Sequence, residues 1–190
     1  MSSRGQVGKC TGGIGDERAD LLPMTANTKE SEKVYDIVKG FSTAMFVTMN
    51  VGGRPAARPM HMAHIDEEAG RIWFFTGKRG GLVDELEKDE TALLVFQNEN
   101  SAYLSLRGRA KLAQGAANIR ELWKEPYKVW FPEGPDDPNI ALIGFDPSEA
   151  EYWDNRGLNK LQYMFESARA YVKGTTPDVS GIDQHGKAKL

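Results

Sequence analysis

Cysteine is nearly absent from this 190-residue sequence: Cys10 stands alone. A lone thiol excludes an intramolecular disulfide and any zinc or iron–sulfur site assembled from several cysteines of this chain, and a reducing cytoplasm is the expected setting. Long apolar runs are missing as well. No stretch approaches the roughly 18 consecutive apolar residues of a membrane span, and the opening residues lack the roughly 7–15-residue apolar segment of a secretory signal. Neither sign of charge is in large excess, because 24 basic residues face 27 acidic ones and leave a formal net charge of -3. Bulk electrostatics thus offers no pull on a polyanion, so neither nucleic acid nor a membrane is an expected partner. Histidine is scarce, with three in all. His61 and His64 are spaced so that a regular strand sends them to opposite faces, which disfavours a shared metal ion. His185 falls in a polar tail where nothing evident anchors it, and no metal site is expected.

What is present suffices for one domain, since 40% of the residues are hydrophobic and the length is that of a single core. Residues 1–26 mix glycine, charge and small polar residues without periodicity and read as a disordered extension. Within them Gly8-Lys9-Cys10-Thr11 resembles a phosphate loop only superficially, because Ser3 stands where the first glycine is required and no strand precedes it. The domain is expected over 27–174, followed by a polar tail over 175–190. Asn27 with Glu30 suggests a capping box, and Val34, Ile37, Val38 and Phe41 recur at helical spacing. A hairpin follows: strands over 43–51 and 55–65 flank the turn signal Asn50-Val51-Gly52-Gly53. Pro55 and Pro59 cannot donate to a ladder, so the second strand must lie at an edge or be paired irregularly there.

Further strands are expected over 71–76, 91–97 and 102–112. The last of these alternates cleanly, with Leu104, Leu106, Ala110 and Leu112 inside and Ser105, Arg107, Arg109 and Lys111 outside. One or two helical turns begin near Leu82, a helix is expected over 116–124, and 125–139 reads as a loop. Residues 140–145 make a sixth strand, and 149–153 suggest another. A last helix over 158–172 carries Leu161, Met164, Phe165 and Ala168 on one side and is expected to pack on the barrel. The fold class predicted is mainly β with some α: a six- to seven-stranded antiparallel β-barrel flanked by short helices, in preference to a doubly wound parallel sheet.

Three consecutive elements carry the strongest chemical signal: a strand with Arg58-Pro59-Met60, an aromatic strand ending in Phe75 and Thr76, and a glycine-rich basic loop. Arg58 offers a planar fork for phosphate oxygens and Thr76 a hydroxyl. The loop at 77–81, with Lys78 and Arg79, can present backbone amides to an anion. The competing readings are an arginine paired with a carboxylate and an ordinary turn. Trp130, Phe131 and Trp153 are of a kind that walls a planar ligand, although core packing is preferred for Trp153. Arg107, Arg109 and Lys111 are best read as solvated charges. No general acid, base or nucleophile stands out.

The stretch Thr48-Met49-Asn50-Val51-Gly52-Gly53-Arg54-Pro55, Arg58-Pro59-Met60 and Trp73-Phe74-Phe75-Thr76 resembles the flavin-binding half of the general stress protein 26 branch of the pyridoxamine 5′-phosphate oxidase-like flavoproteins. Glu121-Leu122-Trp123, the run from Lys128 to Gly134 with Asp137-Pro138, and Ala150-Glu151-Tyr152-Trp153-Asp154 are similar to that branch's own signatures. The arginine–histidine substrate motif of true pyridoxamine phosphate oxidases has no counterpart here, so oxidation of vitamin B6 is not expected. The resemblance implies a split β-barrel that binds FMN, with Arg58, Pro59, Met60, Phe75, Thr76, Lys78, Arg79 and Trp130 around the cofactor. It also implies a homodimer with the flavin between subunits, and an oxidoreductase whose substrate and electron donor the sequence does not name. A departure falls in the loop: Gly80 and Leu82 stand where the family usually has a serine and a lysine, which removes two phosphate contacts for which Lys78 or Arg79 can substitute. The alternatives are a non-catalytic or flavin-free stress or interaction protein and, more remotely, a user of the deazaflavin F420.

Overall fold

The computed structural model describes residues 28–98, 102–113, 115–154, 158–176 and 185–190. Residues 1–26, read above as a disordered extension, and the capping residue Asn27 lie outside them. The chain begins with α1 (Thr28–Val38) and the hairpin β1 (Thr43–Met49) and β2 (Pro55–Asp66), then β3 (Arg71–Gly77) and α2 (Leu82–Lys88). After β4 (Thr91–Gln97), β5 (Ala102–Leu112) and α3 (Ala116–Leu122) come two 3-10 turns, Glu125–Val129 and Gly134–Asp136. β6 (Ile140–Asp154), α4 (Leu158–Lys173) and β7 (His185–Lys189) complete it. The strands run in the order β3-β2-β1-β4-β5-β6-β7, and an additional β3–β6 pairing closes the first six into an antiparallel barrel with β7 as an extra strand. The expected fold class is the one observed.

Local chemistry explains the well-defined pieces. In the first hairpin the Asn50 side-chain oxygen accepts from the amides of Gly52 at 2.9 Å and Arg54 at 3.0 Å, and Gly53 supplies the positive φ of 72° that the turn needs. The alternation of β4 and β5 sends Ala92, Leu94, Phe96, Leu104, Leu106 and Ala110 into the main core, where Phe46 and Phe74 meet edge to face at 5.3 Å. From α1, Val34, Ile37 and Val38 join the same core. The outward charges of β5 are paired, Arg107 with Glu149 at 3.2 Å and Arg109 with Glu90 at 2.8 Å, as solvated charges on an outer face should be.

Four expectations need correction. The two segments over 140–145 and 149–153 are one strand: β6 runs through Pro147 because Gly108 lies opposite, at a register shift, and a Cβ there would sit 2.2 Å from the Asp146 carbonyl oxygen. The polar tail forms β7 along the far half of β6, so His185 is anchored after all, stacked on Trp153 with ring centroids 4.9 Å apart and 3.0 Å from Glu151 Oε1. Trp153 is accordingly a surface residue, 41% exposed. Of the α4 residues expected to pack on the barrel, Met164 is 59% and Phe165 71% exposed and Ala168 is exposed too; only Ala170 among the described side chains of α4 is fully buried. Its period was right and the surface it covers was not.

Candidate functional site

β2 and β3 separate partway along their length. Their ladder runs from Asp66 and Arg71 to Met62 and Phe74 and ends there. Beyond that point β2 continues against β1 through Pro59 and Met45, while β3 continues against β6 through Phe75, Thr76 and Gly77. Pro55 and Pro59 therefore sit in the half of β2 that has a partner on one side only, which is where proline is tolerated. A register shift between Met62 and His64 accompanies the parting. Because of it His64 pairs with Trp73, on the outer side, so the two histidines do not obey the regular alternation that put them on opposite faces. Among the described residues no cluster of histidine, cysteine or carboxylates can hold a metal ion.

The gap opens into a cleft of about 420 Å3. Of the expected residues Arg58, Pro59, Met60, Phe75, Thr76 and Trp130 line it together. Lys78 and Arg79 do not belong to its lining. Gly77, from the loop expected to cradle an anion, and Phe131 join the lining, as does His61, considered above only for a metal; sequence pattern did not single out Tyr127 and Asn139, which also belong to it. The wall behind the cleft is a second apolar cluster in which Ala63, Tyr127, Phe131 and Ile140 are buried against Trp73, Phe75, Ile119 and Trp123. Phe75 and Tyr127 meet at 5.1 Å and Trp123 and Tyr127 at 5.8 Å, both edge to face. Burial pushes the Tyr127 phenol up, and its hydroxyl is buried without a hydrogen-bond partner among the described residues. It is a donor held in reserve beside the cleft.

Arg58 is paired. Its Nη2 lies 2.8 Å from Oε2 and 3.1 Å from Oε1 of Glu85 on α2, and Thr48 on β1 donates its hydroxyl to Oε2 at 2.5 Å. Glu85 is 7% exposed and Thr48 2%, so this is a buried acid stabilised by one cation and one hydroxyl. The carboxylate partner that competed with a phosphate role for Arg58 is thus present. Nη1 of the same guanidinium is buried with no partner among the described residues. The spacing Leu82, Glu85, Leu86, all buried on α2, is the sequence signal for this acid, since a carboxylate in an apolar helical stripe requires a cation nearby.

The loop after β3 is stitched to the turn before β6. The amides of Lys78, Arg79 and Gly80 donate to Asn139 O at 2.7 Å, Asn139 Oδ1 at 3.2 Å and Gly77 O at 3.2 Å, and Lys78 Nζ donates to Pro138 O at 2.9 Å. Gly77 is needed for the close approach, because a Cβ would lie 2.9 Å from Asn139 Nδ2. Three of the amides read as an anion cradle are therefore already occupied. Gly80 is exposed and brings no side chain, and Leu82 is a core residue, 1% exposed.

A closed six-stranded antiparallel barrel with its cleft at a break in the ladder is a split β-barrel. The model of the family described as pyridoxamine 5′-phosphate oxidase like matches residues 29–178, and the chain belongs to that family. General stress protein 26 of Bacillus subtilis is 26% identical over 122 residues, which are 62% of this chain and 84% of that protein. Among solved structures, the general stress FMN/FAD binding protein of Xanthomonas citri is 28% identical with a TM-score of 0.59, over 68% of this chain and 92% of its own. A candidate general stress protein 26 from Jannaschia sp. CCS1 shares the fold at 22% identity and a TM-score of 0.65, over 86% and 99%.

Proposed function

We propose that the cleft binds flavin mononucleotide and that the chain is a general-stress-type flavoprotein acting in the cytoplasm as a flavin-dependent oxidoreductase. The observation that carries this reading is a pair of buried donors without partners, Arg58 Nη1 and the Tyr127 hydroxyl, both on residues that line a cleft backed by aromatic rings. Buried donors almost always find an acceptor, and a flavin combines a flat apolar ring system with ring carbonyls and a chain of hydroxyls. The volume of about 420 Å3 lies within the roughly 300–1,000 Å3 of small-molecule clefts. Phe75 and Trp130 supply flat contact area, Thr76 and Arg58 supply donors, and Pro59 and Met60 form the β2 side. Lys78 and Arg79 stand outside the lining, on the loop that follows β3. When bound, the flavin supplies two-electron redox chemistry, and the protein supplies binding, orientation and exclusion of water.

The reading also includes a homodimer. Met45, Met49 and Val95 on the outer faces of β1 and β4 are 41%, 38% and 38% exposed, and Met45 and Val95 are cross-strand partners; a second copy would cover them. The visible spectrum of the purified protein with added FMN, and the mass of any chromophore released, test the cofactor. A saturable flavin spectrum is expected, and a protein that never binds FMN would falsify the reading. Turnover with a reduced nicotinamide cofactor separates an oxidoreductase from a flavin carrier, and sedimentation velocity tests the dimer.

A further inference from the structure

We infer that the cleft recognises a flavin by its ring and polyhydroxyl chain and is nearly indifferent to the phosphate. This rests on the flavin reading above and narrows it. An anion cradle requires uncompensated positive charge or free donors converging on one place. The arginine that lines this cleft is Arg58, and buried Glu85 compensates it at 2.8 Å. Glu85 does more than cancel charge. Its two oxygens hold Nη2, and the Thr48 hydroxyl fixes Oε2 at 2.5 Å, so the carboxylate cannot swing aside and the guanidinium presents Nη1 as its buried unmatched donor. One donor from a neutral pair suits an uncharged oxygen, a hydroxyl or a carbonyl. A phosphate approaching it would also meet the Glu85 charge, in surroundings that screen repulsion poorly.

The loop after β3 does not make up the difference. Its amides at Lys78, Arg79 and Gly80 donate to Asn139 and Gly77, and Lys78 Nζ donates to Pro138 O. The side chain that opens α2, Leu82, is packed into the core. Arg79 remains, but it is exposed and outside the cleft lining, and an exposed ion contact raises affinity by roughly fivefold at most.

The test is equilibrium binding of riboflavin and of FMN to the full-length chain, read by fluorescence quenching at low and at high salt. The wild-type protein is expected to bind the two within about tenfold of each other, with salt changing the FMN value by less than about threefold. Arg58→Ala is expected to weaken both ligands by a similar factor, about tenfold, because it removes a donor to an uncharged oxygen. Glu85→Gln keeps the shape, uncovers the Arg58 charge and is expected to shift the preference toward FMN by about tenfold. A wild-type preference for FMN above tenfold overturns the inference and leaves the flavin reading standing. Binding of neither ligand overturns the flavin reading, and the inference with it. The wild-type comparison decides the matter even if a variant fails to fold.

Discussion

β3 serves two regions that are built for different ends. Its Ile72 and Phe74 point into the closed barrel and are fully buried, whereas Trp73 and Phe75, each one position along, belong to the cluster behind the cleft. The interior is a packed apolar core, and the buried carboxylate of Glu85 beside it has its partners. The cleft side is left short of partners: of the four buried side-chain polar atoms without one among the described residues, three belong to Arg58, Trp123 and Tyr127. One region has its polar groups matched and the other keeps buried donors without acceptors among the described residues, and both hang on the same seven-residue strand. Neighbouring positions on a strand thus answer to different demands because the pleat sends them to opposite faces.

The largest effect should come from the interior. Phe74→Ala removes a fully buried ring and is expected to cost about 3–5 kcal/mol, measured by denaturant unfolding, with flavin affinity in the surviving folded fraction little changed. A loss below about 1 kcal/mol would mean that the interior is not what holds the barrel together. Next comes a contrast between two tyrosines. The Tyr35 phenol is pushed up to about 12, chiefly by burial and then by the charges of Asp146, Glu67 and Asp66. A raised folded-state value means that the stabilisation is complete below the ordinary phenol value of about 10 and is lost as pH climbs from there to about 12, a total of about 2–3 kcal/mol. Alkaline unfolding should therefore be delayed in Tyr35→Phe. Tyr127, raised by burial alone, should show a smaller delay when changed to phenylalanine, and equal delays would erase the contrast.

On the cleft side, Phe75→Ala is expected to cost only about 1–2 kcal/mol of stability, since its ring is half-buried and its edge-to-face partners remain in contact with one another. It should nevertheless lower FMN affinity by about tenfold, measured by the same fluorescence titration. An unchanged affinity would separate this wall from the ligand. The smallest effect lies on β7, outside both regions. Hydrogen bonds from His185 and then Lys187 hold the Glu151 carboxyl below the usual carboxylate range. Its contribution is present at neutral pH and disappears as pH falls below that range and through the lowered value. The protection of the β7 amides, measured by hydrogen exchange relative to the intrinsic rate at each pH, should fall on acidification in the wild type, and Glu151→Gln should remove that pH dependence while leaving the protection of the barrel amides unchanged.

Much of the barrel was legible because its signals are local. The alternation of Leu104, Leu106 and Ala110, the Asn50 to Gly53 turn and the breaks around Pro55 and Pro59 each express a preference that a few neighbouring residues can satisfy. β7 was not legible, because His185 to Lys189 contains no β-branched residue and buries only Ala188; it is a strand because β6 offers it an edge. Two strands were expected where β6 is one, and only the missing side chain of Gly108 on the neighbouring strand explains why the ladder shifts register at Pro147 and continues. Arg58, Pro59, Met60, Phe75 and Thr76 could be grouped from sequence, and they do line one cleft. Glu85 left a signal in its helical spacing that was open to reading, and Asn139, in a loop of irregular spacing, left none.

The sequence by itself determined the mainly β class, the inward and outward faces of the strands and the positions of the tight turns, since these follow from periodicity and backbone sterics over a handful of residues. Only the tertiary structure decided where the ladder between β2 and β3 ends, which acid neutralises Arg58 and which acceptor takes the loop amides. Those outcomes join residues far apart in the chain, 27 positions for Arg58 and Glu85 and 60 for Arg79 and Asn139. Such pairs meet only when closure of the barrel has already fixed the strands that carry them, and no local preference encodes that meeting.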